Sequence, residues 1–346
     1  MRIIYFTLSF LLFSFIANAQ EKQSYRVGAI GFYNFENLFD TADDPRIKDE
    51  EFTPKGANNW TPELYQQKLE NLAKVVAEMG TDVTPDGMGI LGVAEVENRK
   101  VLEDFVAHPK LRDRKYQIVH FDSPDFRGID VALLYQAKYF SVETARAIPL
   151  ALFEDNGTRK YTRDILMVSG SFDGDPIHVF VNHWPSRSGG ASATQAYRNA
   201  AALKVKILSD SLMQLDPKAK IVIMGDLNDD PSSPSVKKVL GAKAKTTAVK
   251  EKGFFNPMYT NFKKGLGTLA YRDAWNLFDQ IIISEGLVNA PDTTYRFYSA
   301  RVFSPNYLYQ KTGHFKGYPF RSFSGNTYIG GYSDHFPVYI FLIKSI

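Results

Sequence analysis

The sequence predicts an α/β protein built on two antiparallel-rich sheets packed together and covered by helices. Apolar runs of strand length recur along the chain, and helical periodicities lie between some of them. At least one neighbouring pair of runs is joined by turn chemistry that signals a hairpin. In order, the expected strands are Tyr25–Asn34, Gly89–Val96, Tyr116–Phe121, Ile129–Tyr135, Ile165–Phe172, Ile177–Trp184, Ile221–Gly225, Phe278–Ser284 and Phe336–Ile343. The hairpin joins Ile165–Phe172 to Ile177–Trp184 through the turn-rich FDGDP. One helix is expected over Pro62–Met79, where Leu64, Leu69, Leu72, Val75, Val76 and Met79 fall roughly on one face. A second is expected over Ala193–Gln214, with Ser192 or Thr194 near its start. From Tyr295 to Gly331 the chain turns aromatic, basic and Gly-rich with little periodicity, and it reads as a long ordered loop.

The first residues, MRIIYFTLSFLLFSFIANAQ, carry Arg2, an apolar run and a small-residue Ala-Asn-Ala ending. That is the layout of a secretory signal peptide cut after Ala19. The apolar part, Ile3 to Ile16, is short for a membrane span, which takes about 20 residues. Residues 20–346 then form one catalytic-sized domain, because no repeat, charge block or linker divides them. There is no cysteine, which excludes disulfides, thiol nucleophiles and thiolate metal sites. Apolar residues make up 44% of the chain and aromatics 14%, enough for a large core without cross-links. Net charge is only +3, so bulk electrostatics does not point to nucleic acid, although a local basic surface stays open.

Polar residues that end apolar strands are informative, because burying them without partners is costly. FYNFENLFD offers Asn34, Glu36 and Asn37; LGVAEVEN offers Glu95 and Glu97; GIDVALLY offers Asp130. VFVNHWPSR brings Asn182, His183 and Arg187, and IVIMGDLNDDP brings Gly225, Asp226 and Asn228. FDQIIIS and GYSDHFPVY begin strands with Asp279 and with Asp334 and His335. Each alone is explained by a turn or cap. Together they would gather oxygen and imidazole groups at one rim of the sheets. Carboxylate and amide oxygens favour a hard cation, Mg²⁺ or Mn²⁺, over zinc. Such a cation typically serves phosphate chemistry, and an imidazole held by an acid can stabilise charge or take a proton. No phosphate-binding P-loop, zinc-protease motif or nucleophile elbow is present.

The ordered set N-F-E-N, A-E-V-E-N, R-G-I-D-V-A, N-H-W, G-D-L-N, F-D-Q-I and S-D-H-F resembles the endonuclease/exonuclease/phosphatase (DNase I-like) superfamily, in an exported bacterial form. The motifs run from Asn34 to His335, nearly the whole mature chain. The resemblance implies a four-layered α/β sandwich and a metal-dependent phosphoesterase. It implies that Glu95 is the principal metal ligand, with Asn34 beside it and Asp334 on the metal side. Asp226 and Asn228 are similar to the pair that positions water and a phosphate oxygen. His335 resembles the active-site histidine and Asp279 the acid that orients it. His183 resembles a second histidine, a candidate general acid. Asp130 falls where an acid supports that histidine, so an Asp130–His183 pair is expected beside Asp279–His335.

Arg187 and Arg127 are candidate phosphate-binding residues, because a guanidinium matches phosphate oxygens in a bidentate fork. The aromatic–basic stretch TYRFYSARVFSPNYLYQKTGHFKGYPFRSF has two readings, a substrate-facing wall that stacks bases or a loop packed onto the sandwich. The expected activity is that of an exported Mg²⁺- or Mn²⁺-dependent phosphodiesterase acting on DNA or RNA. Alternatives are a phosphatase, a sphingomyelinase-like lipid phosphodiesterase and a silent binding protein on the same scaffold.

Overall fold

The computed structural model describes residues 24–346, so the expected signal peptide lies outside the described residues. Twelve strands form two six-stranded sheets. They are β1 (Tyr25–Leu38), β2 (Ile90–Val96), β3 (Tyr116–His120), β4 (Asp130–Gln136), β5 (Phe140–Ile148) and β6 (Ile165–Phe172), followed by β7 (Asp175–His183), β8 (Ile221–Asp226), β9 (Phe254–Phe255), β10 (Asp279–Ser284), β11 (Arg296–Val302) and β12 (Val338–Ser345). The first sheet runs β11-β12-β1-β2-β4-β3 and the second β9-β10-β8-β7-β6-β5. The main helices are α1 (Pro62–Glu78), α2 (Arg99–Ala107) and α3 (Gln195–Leu215).

Strand alternation builds the layers. In β8, Val222 and Met224 face the cluster between the sheets, while Ile221 and Ile223 face the cluster that includes Ala201, Val205 and Met213 of α3. In β7, Val179 and Val181 point inward and Phe180 outward. A third cluster joins Leu69, Leu72 and Val76 of α1 and Val101 and Phe105 of α2 to Leu91 and Val93 of β2. Three apolar interfaces therefore separate four layers, helix, sheet, sheet and helix. Thr61 and Asn98 cap α1 and α2, accepting from Leu64 N (3.4 Å) and Val101 N (3.0 Å).

The FDGDP hairpin forms as expected, pairing β6 with β7 from Leu166↔Val181 to Phe172↔Asp175. Three of these strands, β5, β9 and β11, and the helix α2 were not anticipated. β5 and β11 are the outermost strands of their sheets, and both carry mostly half-exposed side chains. β11 also corrects the expectation of loop from Tyr295 onward. The short α2 adds about two and a half turns of cover on the first sheet.

The two sheets share a layout. β1 runs parallel to β2 and antiparallel to β12, just as β8 runs parallel to β7 and antiparallel to β10. Parallel neighbours end at the same rim, and the antiparallel partner begins there. That rim collects Asn34, Glu95, His183 and Asp226 from strand ends, and Asp279 and His335 from strand beginnings.

Candidate active site

Register, not loop geometry, sets the centre of the site. Asp226 lies directly opposite His183 on one side and Asp279 on the other. Gly225 allows the close approach this needs, since a Cβ there would meet the Asn182 carbonyl oxygen at 2.1 Å. On the first sheet the β1/β2 and β2/β4 registers shift at the strand ends. There Glu95, Glu36 and Asn37 adopt positive φ (59°, 51° and 56°), and Asn228 does so beyond β8 (49°). Left-handed backbone at four adjoining polar residues re-aims their side chains off the regular pleat.

The polar groups interlock. Asn34 Nδ2 donates to Asp226 Oδ2 (3.2 Å), and Asn34 Oδ1 accepts from Glu36 N (2.9 Å). Glu95 Oε2 accepts from Asn37 N (3.1 Å), while its Oε1 stands 3.7 Å from His183 Nε2. Asp226 Oδ1 accepts from Asn228 N (2.9 Å), and Asn228 Nδ2 donates to Trp184 O (2.9 Å). His335 Nδ1 pairs with Asp279 Oδ2 at 2.7 Å, and Ser333 Oγ accepts from His335 N (3.1 Å) while donating to Asn34 O (2.7 Å). Asp226 Oδ2 lies between the imidazoles, 3.6 Å from His183 Nε2 and 3.9 Å from His335 Nε2.

These environments push the titrations apart. Burial opposes charge on His335, but Asp279 and Asp226 outweigh it and hold the imidazole pKa well above its usual range. Burial, reinforced by the Arg163 and Arg127 charges, holds His183 well below it. Burial also raises Asp226, against the pull of His335 and with the repulsion of Asp279 and Glu95. The site thus pairs a charged imidazole with a neutral one across a reluctant carboxylate.

Two expectations are corrected. Asp130 does not support His183; its Oδ2 bonds His120 Nε2 at 2.9 Å and its Oδ1 accepts from Ser123 N (2.8 Å). The β3/β4 register places His120 opposite Ala132, so its ring turns onto Asp130 two residues away. His183 is held through its backbone instead. The buried Arg163, which sequence reading missed, donates Nε to His183 O (3.2 Å), Nη2 to Trp184 O (2.8 Å) and Nη1 to Asp125 Oδ2 (2.9 Å). Arg187 is likewise not open to phosphate. It donates to Asn228 O (2.9 Å) and to Asp229 and Asp230, and its guanidinium stacks on Phe278, bracing the Asp226–Asp230 loop. Arg127 stays half-exposed, with Nε 3.5 Å from Asp125.

The donor set fits a hard divalent cation. Glu95 Oε1 makes no hydrogen bond among the described residues and stands 3.7 Å from His183 Nε2, several buried acids crowd together, and no thiolate is available. Asp334 is turned to Arg321, which donates Nη2 to its Oδ2 (2.8 Å). The compact trio of ligand atoms among the described residues is instead His120, Asp122 and Asp130, within 4.8 Å of one another. Beneath the rim, the fully buried Lys68 of α1 donates to Tyr332 O (2.8 Å) and to Ser322 Oγ, and lies 3.9 Å from Glu36.

Two sheets of matching layout that present acids and imidazoles at a shared rim define the DNase I-like fold class. The chain belongs to the Endonuclease/Exonuclease/phosphatase family, whose model matches residues 29–344, and so to a family of phosphoester hydrolases. Among solved structures it is similar to an endonuclease/exonuclease/phosphatase family protein from Bacteroides thetaiotaomicron. That match has 15% identity and a TM-score of 0.56, covering 93% of this chain and 97% of that one. It is similar to a humanized D. rerio TDP2 (12%, TM-score 0.54, 91% and 98%). It also resembles the human Nocturnin catalytic domain with bound sulfate (13%, TM-score 0.52, 94% and 98%). These likenesses share the fold. No curated protein matches the sequence.

Proposed function

We propose that the chain is an exported phosphodiesterase dependent on Mg²⁺ or Mn²⁺, acting on nucleic acid. The observation that carries this reading is Asp226, set between a charged His335–Asp279 pair and a neutral His183, with Asn228 and Glu95 alongside. When bound at Glu95 and Asn34, the cation supplies charge neutralisation for the phosphate. His335 presents its Nε2 proton to a phosphoryl oxygen and carries positive charge where negative charge develops. Asp226, raised by burial, accepts the proton of the attacking water, and Asn228 orients that water. His183, neutral and fixed by Arg163, faces the leaving oxygen and gives it a hydrogen bond, while the proton that Asp226 took from the water passes on to that oxygen. Arg127 is the phosphate-facing guanidinium. Asp334, bonded to Arg321, would add a carboxylate on the metal side. Export rests on the leader-like residues 1–19.

The test is hydrolysis by purified protein (residues 20–346) with Mg²⁺ or Mn²⁺ on plasmid DNA, RNA, sphingomyelin and bis-p-nitrophenyl phosphate. DNA or RNA cleavage that disappears in His335→Ala and Asp226→Ala supports the reading. Turnover confined to sphingomyelin, or no turnover with either metal, sinks it.

A further inference from the structure

We infer that an aromatic wall beside His335 is a nucleobase-stacking subsite, so that the substrate is a single-stranded, base-bearing phosphodiester. This rests on the phosphodiesterase reading above and names its substrate class. The wall begins at Phe336, the residue after His335, whose ring lies 5.9 Å from the Trp275 indole with 21° between planes. Trp275 leads to Tyr318 (6.4 Å), and Tyr318 to Phe315 (6.0 Å). Over Phe315 sits the Arg321 guanidinium (4.7 Å), which bonds Asp334. The file of rings therefore starts and ends on the Asp334-His335 pair.

It is also rigid. Thr268 Oγ1 accepts from Asp279 N (3.2 Å) and Thr268 O from Phe336 N (2.7 Å), which ties the Leu269–Asn276 hairpin to the mouths of β10 and β12. The Tyr318 hydroxyl accepts from Asp273 N and donates to Asp273 Oδ1, both at 2.7 Å. Packing accounts for Phe336, which is 2% exposed, but not for Trp275, which is 37% exposed in the middle of a built wall.

Charge selects the ligand. Residues 303–333 contain Lys311, Lys316 and Arg321 and no Asp or Glu, and the two acids that touch the wall, Asp273 and Asp334, are bonded to Tyr318 and Arg321. Rings flanked by cations suit stacked bases joined by phosphates. A quaternary ammonium headgroup would want the aromatic face that Arg321 already occupies. With a net charge of only +3, a duplex held by many phosphate contacts is the poorer fit.

Trp60 and Trp184, the other two tryptophans, are 0% and 1% exposed, so quenching of intrinsic emission reads Trp275. The protein in EDTA, where no turnover occurs, is titrated with a thymidine tetranucleotide. A parallel titration uses an abasic tetramer of equal charge. Saturable quenching is expected from the first, with about tenfold weaker binding of the second. By anisotropy of labelled thymidine oligomer, Trp275→Ala should lose about tenfold in affinity and Trp275→Phe under about threefold. Equal binding of the two oligomers, an unaffected Trp275→Ala, or quenching only by phosphatidylcholine vesicles would overturn the inference. Because the readout needs no catalysis, its failure is distinct from failure of the hydrolase reading.

Discussion

One carboxylate between two imidazoles held in opposite states is the chemical centre of the molecule, and the supporting residue explains each state. His335 keeps its proton because Asp279, bonded to Nδ1, and Asp226 together outweigh the cost of burial. Asp279→Asn removes that charge, so the His335 pKa falls. The branch of the pH–rate profile on which activity declines with rising pH should then move to lower pH. Turnover should drop by about 10²- to 10⁴-fold; an unshifted profile would mean that Asp279 only shapes the fold. Asp130 gives the opposite expectation. Its oxygens serve His120 and Ser123, so Asp130→Asn should leave the pH profile in place while costing about 1–3 kcal/mol of stability by urea unfolding. A profile altered as in Asp279→Asn would restore the pairing with His183.

The strands show what sequence conveys and what it withholds. Interior strands such as β1, β8 and β12 are buried on both faces, so their apolar runs stand out, and the polar residues that close them mark the rim. The edge strands β5 and β11 show water one face and pair on one side, so Phe140–Ile148 and Arg296–Val302 lack that signature. The pairing of His335 with Asp279 was legible through the family resemblance, since the residues alone showed only that both stand at strand mouths. The partner of Asp130 was not, because the register of β3 against β4 decides it. Arg163 left no sequence signal beyond its place just before β6. Gly225 is where element and site meet. Gly225→Ala forces a Cβ into the Asn182 carbonyl, so β7 and β8 must part at the point where they hold His183 and Asp226. We expect a loss of at least about 3 kcal/mol, together with lost hydrolysis. Wild-type urea unfolding in this variant would show that the strand ends can shift freely.

At the scale of the whole molecule, the site is a place where the fold works against itself. Two sheets that each bury their apolar faces are joined at a rim where Glu95, Asp226, Asp279 and Asp334 converge from both sheets, and burial and mutual repulsion raise Asp226. Internal cations relieve only part of this: Arg321 holds Asp334, and Lys68 lies near Glu36. A divalent cation between the sheets should therefore stabilise the fold as well as serve the chemistry. At a hundred times its dissociation constant, Mg²⁺ should add about 2.7 kcal/mol, read as a concentration-dependent rise in the thermal midpoint. Chelation should reverse the rise and abolish hydrolysis together. Glu95→Gln removes the carboxylate with the free oxygen, so it should start with a midpoint at or above that of the chelated wild type. It should then gain little from Mg²⁺. A midpoint indifferent to Mg²⁺ and Mn²⁺ in the wild type would count against an ion bound to the folded chain at all. An increment retained by Glu95→Gln but lost in Asp122→Asn would place it at the His120–Asp122–Asp130 corner.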